Sequence, residues 1–166
     1  MERRLAAIVC ADVAGYSRMM GTDEAGTHAT FKAHRSAIYP FILNHGGRLK
    51  NTGDGFLLEF PSIVGAVEAA IEMQALMAER NNDLPANRAM EFRIGIHMGD
   101  VMADEDEVFG DDVNIAVRLE SVAAPGGLAI SAKAHSRPLR FPSCPICMRS
   151  TAITTKPWTR SGGRWN

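Results

Sequence analysis

The segment from 49 to 60 constrains the fold of this 166-residue chain more than any other. Its second half is apolar enough for a buried strand, and a shorter strand-like run leads into it. Between the two, Thr-Gly-Asp-Gly at 52–55 supplies two glycines that tolerate positive φ, so the pattern predicts a hairpin. Asp54 would stand at a rigid tip, which suits a carboxylate that holds a metal ion and equally suits an ordinary Asp-Gly turn.

The rest of the chain alternates between strand-like and helix-like patterns. Three stretches are short apolar or alternating runs that predict strands: 5–11, 90–98 and 128–131. Three stretches have apolar residues at helical spacing and predict helices: 23–43, 62–80 and 111–123. Pro40 should kink or break the first helix, and Gly99 should open a turn after the second strand. The order of elements, with the hairpin included, predicts an α+β fold of ferredoxin-like βαββαβ type, in which helices pack on an antiparallel sheet.

Composition excludes several classes of protein. Hydrophobic residues make up 46% of the chain and charged residues 22%, which is typical of a globular domain rather than a disordered one. A net charge of -1 gives no electrostatic reason to expect a nucleic-acid partner or an anionic membrane surface. No apolar run approaches the length of a membrane span, and the N-terminus has no signal-peptide pattern, so we expect a cytoplasmic protein.

The character of the chain changes after residue 131. Prolines and glycines interrupt every periodic pattern from 132 to 166, which predicts an irregular or disordered tail behind a domain at 1–131. Cys144 and Cys147 form half of a zinc-site pattern, and no second pair completes it.

Two placements outside the hairpin favour a ligand site. Asp12 ends a buried strand and precedes a glycine-containing turn, where backbone N–H groups can receive phosphate oxygens, although Asp12 could equally cap the next segment. Asn114 and Arg118 are four residues apart on the third predicted helix and therefore share one of its faces.

Three separated motifs together resemble the catalytic domain of class III adenylate/guanylate cyclases, in particular bacterial adenylate cyclases. They are Ala-Asp-Val-Ala-Gly-Tyr-Ser at 11–17, Lys-Asn-Thr-Gly-Asp-Gly at 50–55 and Phe-Gly-Asp-Asp-Val-Asn-Ile-Ala-Val-Arg-Leu-Glu at 109–120. Each motif is weak alone, but their shared order and spacing make the resemblance specific over residues 5–131. Family members continue with further strand segments, so the C-terminal end of this chain looks truncated.

The resemblance implies a metal site and a triphosphate site. Asp12, Asp54 and the carbonyl of Val13 match the ligands of two Mg²⁺ or Mn²⁺ ions, which fits the preference of these ions for hard oxygen donors. The loop that receives the triphosphate corresponds to three consecutive residues: Gly15, Tyr16 and Ser17.

The resemblance also implies how the nucleotide is read and cyclised. Lys50 matches the lysine that selects the purine, and Glu107 occupies the second purine-selecting position, where aspartate or threonine is usual. Asn114 matches the residue that orients the ribose, and Arg118 the residue that stabilises the transition state. In the family, the ribose 3′-hydroxyl of ATP attacks the α-phosphorus, pyrophosphate leaves and cyclic AMP serves signalling. The active sites are shared between the two chains of a homodimer.

Three other functions remain to be weighed. The unusual tail favours a catalytically weak or inactive module that binds nucleotide or dimerises. A guanylate cyclase is disfavoured by Lys50, because glutamate is expected at that position and guanine N1 carries a hydrogen. A diguanylate cyclase is disfavoured because its Gly-Gly-Asp-Glu-Phe hairpin is not matched at 52–56.

Overall fold

The computed structural model describes residues 2–50, 55–103, 108–135 and 152–154. Its strands in these ranges are β1 (Glu2–Val13), β2 (Arg48–Leu49), β3 (Gly55–Phe60), β4 (Phe92–Ala103), β5 (Val108–Phe109), β6 (Leu128–Ser131) and β7 (Ala152–Thr154). The helices there are α1 (Tyr16–Thr22), α2 (Glu24–Asn44), α3 (Ile63–Asn81), α4 (Asp111–Val122) and α5 (Ala132–His135).

The strands form one sheet in the order β2-β3-β1-β4-β6-β7, and β5 pairs with the end of β4. The pair β1 and β4 is the longest, running antiparallel from Glu2 opposite Ala103 to Val13 opposite Phe92. Only β4 and β6 run parallel within the described sheet, because α4 carries the chain back between them. The predicted α+β architecture is confirmed, with this parallel pair as an addition.

Alternate residues of β1 face two different hydrophobic layers. Ala7, Val9 and Ala11 belong to a large cluster that α2 and α3 cover, whereas Ile8 and Cys10 belong to a smaller cluster beneath α4. The sheet therefore has helices on both faces: α2 and α3 cover the first face, and α4 covers the second.

The two long helices begin at the predicted caps. The Asp23 carboxylate accepts a hydrogen bond from the Gly26 N–H at 3.0 Å, and the Ser62 hydroxyl accepts from the Gly65 N–H at 3.3 Å. Pro40 was predicted to kink or break α2. The break was wrong, because α2 continues through Pro40 to Asn44, and the kink stays a prediction.

Packing explains why α2 tolerates a proline. Pro40 removes the hydrogen bond that would reach the Ser36 carbonyl, and both residues are exposed, so water can take that place. On the buried side, Ile38 and Ile42 are almost completely enclosed and hold the helix against the sheet.

The turn predicted at Gly99 was also wrong. β4 runs through Gly99 and Asp100 to Ala103, since β1 offers a pairing partner along this whole length. Gly99 is needed for a different reason: a Cβ there would overlap the side chain of Asp112 in the first turn of α4. A Cβ at Gly95 would overlap the Ala116 carbonyl and the Glu120 N–H. Gly95 therefore lets the backbone of α4 approach β4 directly, and Gly99 makes room for the Asp112 side chain.

His97 lies between these two glycines on the same face of β4 and joins three elements. Its Nδ1 is 2.7 Å from the Ser131 hydroxyl at the end of β6, and its Nε2 is 2.8 Å from Asp112 Oδ1 on α4. The Ser131 hydroxyl also accepts from the Ala134 N–H at 3.2 Å. This buried network fixes the first turn of α4 relative to the sheet.

Two described elements fall inside the range expected to be irregular. They are α5, directly after β6, and β7, which pairs antiparallel with β6 from Ala129 opposite Thr154 to Ser131 opposite Ala152. The domain boundary at 131 stays a prediction, and Cys144 and Cys147 lie outside the described residues. In the described ranges, no helix has the length and apolar character needed to cross a membrane.

The first prediction concerns the contact between α4 and β4. Gly95→Ala should lower the free energy of unfolding by about 1–3 kcal/mol, because the new methyl group forces α4 away from the sheet. Gly21→Ala is the matched control, since a Cβ at that helical position meets nothing within 4 Å. Urea unfolding of both variants makes the comparison, and equal stabilities would refute the proposed close approach.

The second prediction concerns the hydrogen bond between His97 and Asp112. Burial alone would raise the pKa of Asp112, but the hydrogen bond and charge of His97, together with the charge of Lys133 and a hydrogen bond with the Asp100 backbone, outweigh burial and lower that pKa. The ionised carboxylate therefore stabilises the fold above its unfolded pKa of about 3.9, and this contribution is lost as the pH falls through the lower folded value.

Asp112→Asn should accordingly lower the free energy of unfolding at pH 7 by about 1 kcal/mol, and the difference should narrow below pH about 4. Asp111→Asn, in the same helical turn and exposed, is the control and should change little. Denaturant unfolding at a series of pH values measures both. A deficit in Asp112→Asn that stays constant down to pH 2 would contradict the assignment.

Candidate active site

Asp12 lies near the end of the central strand, beside the start of β3. It faces Gly55 on one side and Arg93 on the other, and its Oδ1 accepts a hydrogen bond from the Val13 N–H at 2.8 Å. A Cβ at Gly55 would lie 2.6 Å from the Ala11 carbonyl, so glycine allows the two strands to meet here. Asp54 precedes Gly55 in the chain but lies outside the described residues.

The turn after β1 is the beginning of a helix rather than an open loop. Gly15 has a φ of 71° and its carbonyl accepts from the Met19 N–H, so a left-handed residue starts α1. Tyr16 packs edge-on against Phe31 with ring centroids 5.6 Å apart, which ties its side chain to α2. Ser17 is exposed. What this segment offers to a ligand is backbone and the Ser17 hydroxyl, not the Tyr16 ring.

Lys50 directly follows β2 and is buried. Its backbone N–H donates to the Leu57 carbonyl at 2.8 Å, and its ammonium nitrogen lies 3.7 Å from Glu59 Oε2. Arg4 on β1 donates to the same Glu59 carboxylate, from Nε to Oε1 at 2.6 Å and from Nη2 to Oε2 at 3.0 Å. Glu107, the second purine-selecting candidate, lies outside the described residues.

Asn114 and Arg118 project from the outer side of α4. Both are exposed, whereas Ala116 and Glu120 on the same helix are buried against the sheet. Val117, between them, is 47% exposed. The structure thus keeps Asn114 and Arg118 together, as their spacing predicts, and separates them from the inner side of α4.

The inner side of α4 contributes a carboxylate that faces Asp12. Burial and then the negative charge of Asp12 raise the pKa of Glu120, and Arg93, with Nε 3.5 Å from Glu120 Oε1, offsets part of that shift. That Oε1 atom and the Arg93 Nε are both buried without a hydrogen-bond partner. Two carboxylates and one guanidinium therefore lie close together at this end of β1.

The same surroundings decide what this end of the sheet can hold. Burial, together with the charge of Glu120, raises the pKa of the Cys10 thiol to about 12, so this cysteine is neither a nucleophile nor a thiolate ligand at neutral pH. The carboxylate oxygens at this end of the sheet are donors that fit a hard divalent cation such as Mg²⁺ or Mn²⁺. Among the described residues, no three or more His, Cys, Asp and Glu side chains are grouped to hold a metal, and Asp54 is not among them.

Sequence patterns alone missed four polar residues around this site: Glu59, Arg93, His97 and Glu120. A signal existed for two of them. Glu59 is an acid inside an otherwise apolar strand, and His97 alternates with Gly95 and Gly99 on one face, which indicates a face covered at close range. Arg93 and Glu120 carry no such signal, because only the fold brings β4 and α4 together.

Comparisons with known proteins agree on one family. The model of the adenylate and guanylate cyclase catalytic domain matches residues 6–146. "Putative adenylate cyclase 3" of Rhizobium meliloti is 48% identical over 137 residues, which are 81% of this chain and 23% of that protein. An adenylate cyclase of Streptomyces coelicolor is 33% identical over 127 residues, which are 74% of this chain and 31% of that protein. The chain thus spans less than a third of these curated relatives.

Solved structures lead to the same family. A protein of Silicibacter pomeroyi described as an adenylate/guanylate cyclase/hydrolase superposes with a TM-score of 0.76 at 41% identity, covering 81% of this chain and 79% of that one. The adenylyl cyclase CyaB of P. aeruginosa has a TM-score of 0.68 at 23% identity, covers 82% of each chain and supports the fold alone. The resemblance drawn from the three motifs is confirmed, and this chain belongs to the adenylate and guanylate cyclase catalytic domain family.

Proposed function

We propose that this chain is an adenylate cyclase, which converts ATP into 3′,5′-cyclic AMP and pyrophosphate. The observation that carries the proposal is the meeting of Asp12, the Gly15 turn and the start of β3 at one end of the central strands. Lys50 supports adenine as the base, because its ammonium can only donate, and N1 of adenine is an acceptor. Guanine presents N1–H instead, so a guanylate cyclase is not favoured.

The chain's own residues divide the work of the reaction. Asp12, Asp54 and the Val13 carbonyl would hold two Mg²⁺ or Mn²⁺ ions. When bound, these ions lower the pKa of the ribose 3′-hydroxyl and neutralise charge on the phosphates. Backbone N–H groups at Gly15, Tyr16 and Ser17 would receive the triphosphate, as backbone donors in such turns do.

A second set of residues would orient the nucleoside and the reacting phosphorus. Lys50 donates to adenine N1, and Glu107 accepts from the exocyclic amine. Asn114 orients the ribose so that the 3′-oxygen faces the α-phosphorus. Arg118 supplies a permanent positive charge where the phosphorus gathers negative charge in the transition state.

We further propose that two chains share each active site. Asn114 and Arg118 point away from the side of α4 that faces Asp12, and exposed apolar side chains lie on the same outer region. Met102, at 45% exposure, pairs across the β4–β5 ladder with Phe109, at 46%, close to the start of α4. A symmetric dimer would cover this apolar surface and bring each chain's Arg118 to the partner's Asp12.

The third prediction tests the activity. The purified chain incubated with ATP and Mn²⁺ should form cyclic AMP and pyrophosphate in equal amounts. Asp12→Asn should reduce turnover at least about a hundredfold, because one charged metal ligand is lost, while the unfolding transition changes little. Asp83→Asn, at an exposed loop position, is the control and should be fully active. Nucleotide binding without any cyclic AMP would instead identify an inactive nucleotide-binding module.

The fourth prediction tests the shared site. Asp12→Asn and Arg118→Ala chains should each be inactive alone and should recover activity when they are mixed. With free exchange at equal amounts, about half of the dimers are mixed and about a quarter of all sites carry neither lesion. The control mixture pairs Asp12→Asn with Asp54→Asn, whose lesions fall on the same half of the site and should not complement. Absence of recovery despite demonstrated subunit exchange would mean that each chain builds its own site.

A further inference from the structure

Three charged side chains from three neighbouring segments meet at Lys50, the residue proposed to select the purine. Glu59 lies on β3, Arg4 on β1, and Lys50 follows β2. The side chains of Glu59 and Lys50 are only 7% and 3% exposed, while that of Arg4 is 33% exposed. These three residues form the Arg4–Glu59–Lys50 cluster.

The two cations contact Glu59 in different ways. Arg4 binds both carboxylate oxygens, at 2.6 and 3.0 Å, and the planar guanidinium therefore fixes the plane of the carboxylate. The hydrogen bond to Glu59 also raises the pKa of Arg4. Lys50 is 3.7 Å from Oε2, which is close enough for charge attraction but too long for a hydrogen bond. Glu59 therefore attracts the ammonium without using its N–H donors.

A buried carboxylate of this kind needs a reason. Two charges taken out of water are stabilised only by close opposite charges and good geometry, and a salt bridge of this type is weak support for stability as such. In the Arg4–Glu59–Lys50 cluster, Glu59 is shared by both cations, and Arg4 also lies 3.7 Å from the exposed carboxylate of Glu2. Lys50 is the residue that the proposed function assigns to the purine.

We propose that Glu59, held by Arg4, is a positioning residue. It places the Lys50 ammonium where it can donate to N1 of adenine, and so determines the preference for ATP over GTP. This inference rests on the proposed function of Lys50. A fixed carboxylate restricts where the flexible Lys50 ammonium can lie, because the opposite charges attract. The ammonium donates to adenine N1, whereas a displaced ammonium discriminates less against the N1–H of guanine.

A neighbouring ion pair on the same strand provides the matched control. Arg3 lies 3.4 Å from Asp100, but their side chains are 74% and 52% exposed. Exposed pairs of this kind contribute little and hold nothing in place. Arg3 and Arg4 thus differ in what they contact, while residue type, strand and charge are the same.

The experiment compares nucleotide preference in matched variants. Glu59→Gln, Arg4→Gln and Arg3→Gln are made in the wild-type chain, and Glu59→Gln is also made in a Lys50→Ala background. For each protein, kcat/KM for ATP and for GTP is measured with Mn²⁺, and the dissociation constant of each nucleotide is measured by equilibrium titration. Thermal unfolding of the same samples identifies variants that do not fold.

Glu59→Gln should lower the ratio of ATP to GTP preference about tenfold, which corresponds to about 1.4 kcal/mol. Arg4→Gln should shift the ratio in the same direction by a smaller factor, and Arg3→Gln should leave it unchanged. In the Lys50→Ala background, Glu59→Gln should have no further effect, because the residue through which it acts is gone. A purely structural role would lower stability and leave the ratio at the wild-type value.

The remaining outcomes decide between this inference and the function on which it rests. If Glu59→Gln does not fold, Arg4→Gln carries the test, since it keeps the pair of Glu59 and Lys50. If the variant that carries the test folds and keeps the wild-type ratio of ATP to GTP preference, the inference is overturned. It is also overturned if Glu59→Gln changes that ratio equally in the wild-type and Lys50→Ala backgrounds. A wild-type chain that binds ATP better than GTP but forms no cyclic AMP refutes the proposed activity, and its binding ratios still decide the role of Glu59. A wild-type chain without preference in either measurement overturns the inference.

Discussion

The direct backbone contact between α4 and β4 is the constraint on which the rest of the candidate site depends. Gly95 and Gly99 remove the side chains that would hold the helix away, and His97 between them reaches Asp112 on the helix. A helix fixed this closely has little freedom to rotate, because rotation would drive its backbone into the sheet. Which residues of α4 face inward and which face outward is therefore decided by three positions on β4.

The face of the sheet that α4 covers has two groups of charged side chains. At the end of β1, Asp12 and Glu120 are two carboxylates with one guanidinium, Arg93, nearby. Toward the outer edge, Glu59 is one carboxylate between the cations of Arg4 and Lys50. A nucleotide bound through metal ions needs an acidic place for the ions and a donor for the base. In the proposed shared site, the acidic group of one chain and Lys50 of its partner would serve the same nucleotide.

Local patterns in the sequence predicted most of the elements but not their lengths or partners. Caps at Asp23 and Ser62 and the helical spacing of apolar residues were sufficient for α2 and α3. The predicted turn at Gly99 and the predicted break at Pro40 were wrong for one reason. In both cases, packing or pairing with residues distant in sequence outweighed a local signal for ending the element. His97 and Glu59 were missed because their significance lies in contacts with Asp112 and Arg4, which no local pattern records. The roles of the site residues came from the family resemblance and remain predictions, with Asp54 and Glu107 outside the described residues.

The orientation of α4 also bears on why a single chain would be insufficient. Glu120 on its inner side is close enough to Asp12 for their charges to interact, whereas Asn114 and Arg118 are exposed on the outer side. Asp12 on β1 therefore faces the inner side of α4, whereas Arg118 lies on its outer side. The contacts at the glycines of β4 hold α4 in this orientation. If both act on one nucleotide, moving α4 would break the packing at Gly95, so the simpler arrangement supplies Arg118 from a second copy. The rigidity that fixes α4 within one chain thereby supports a site completed between two.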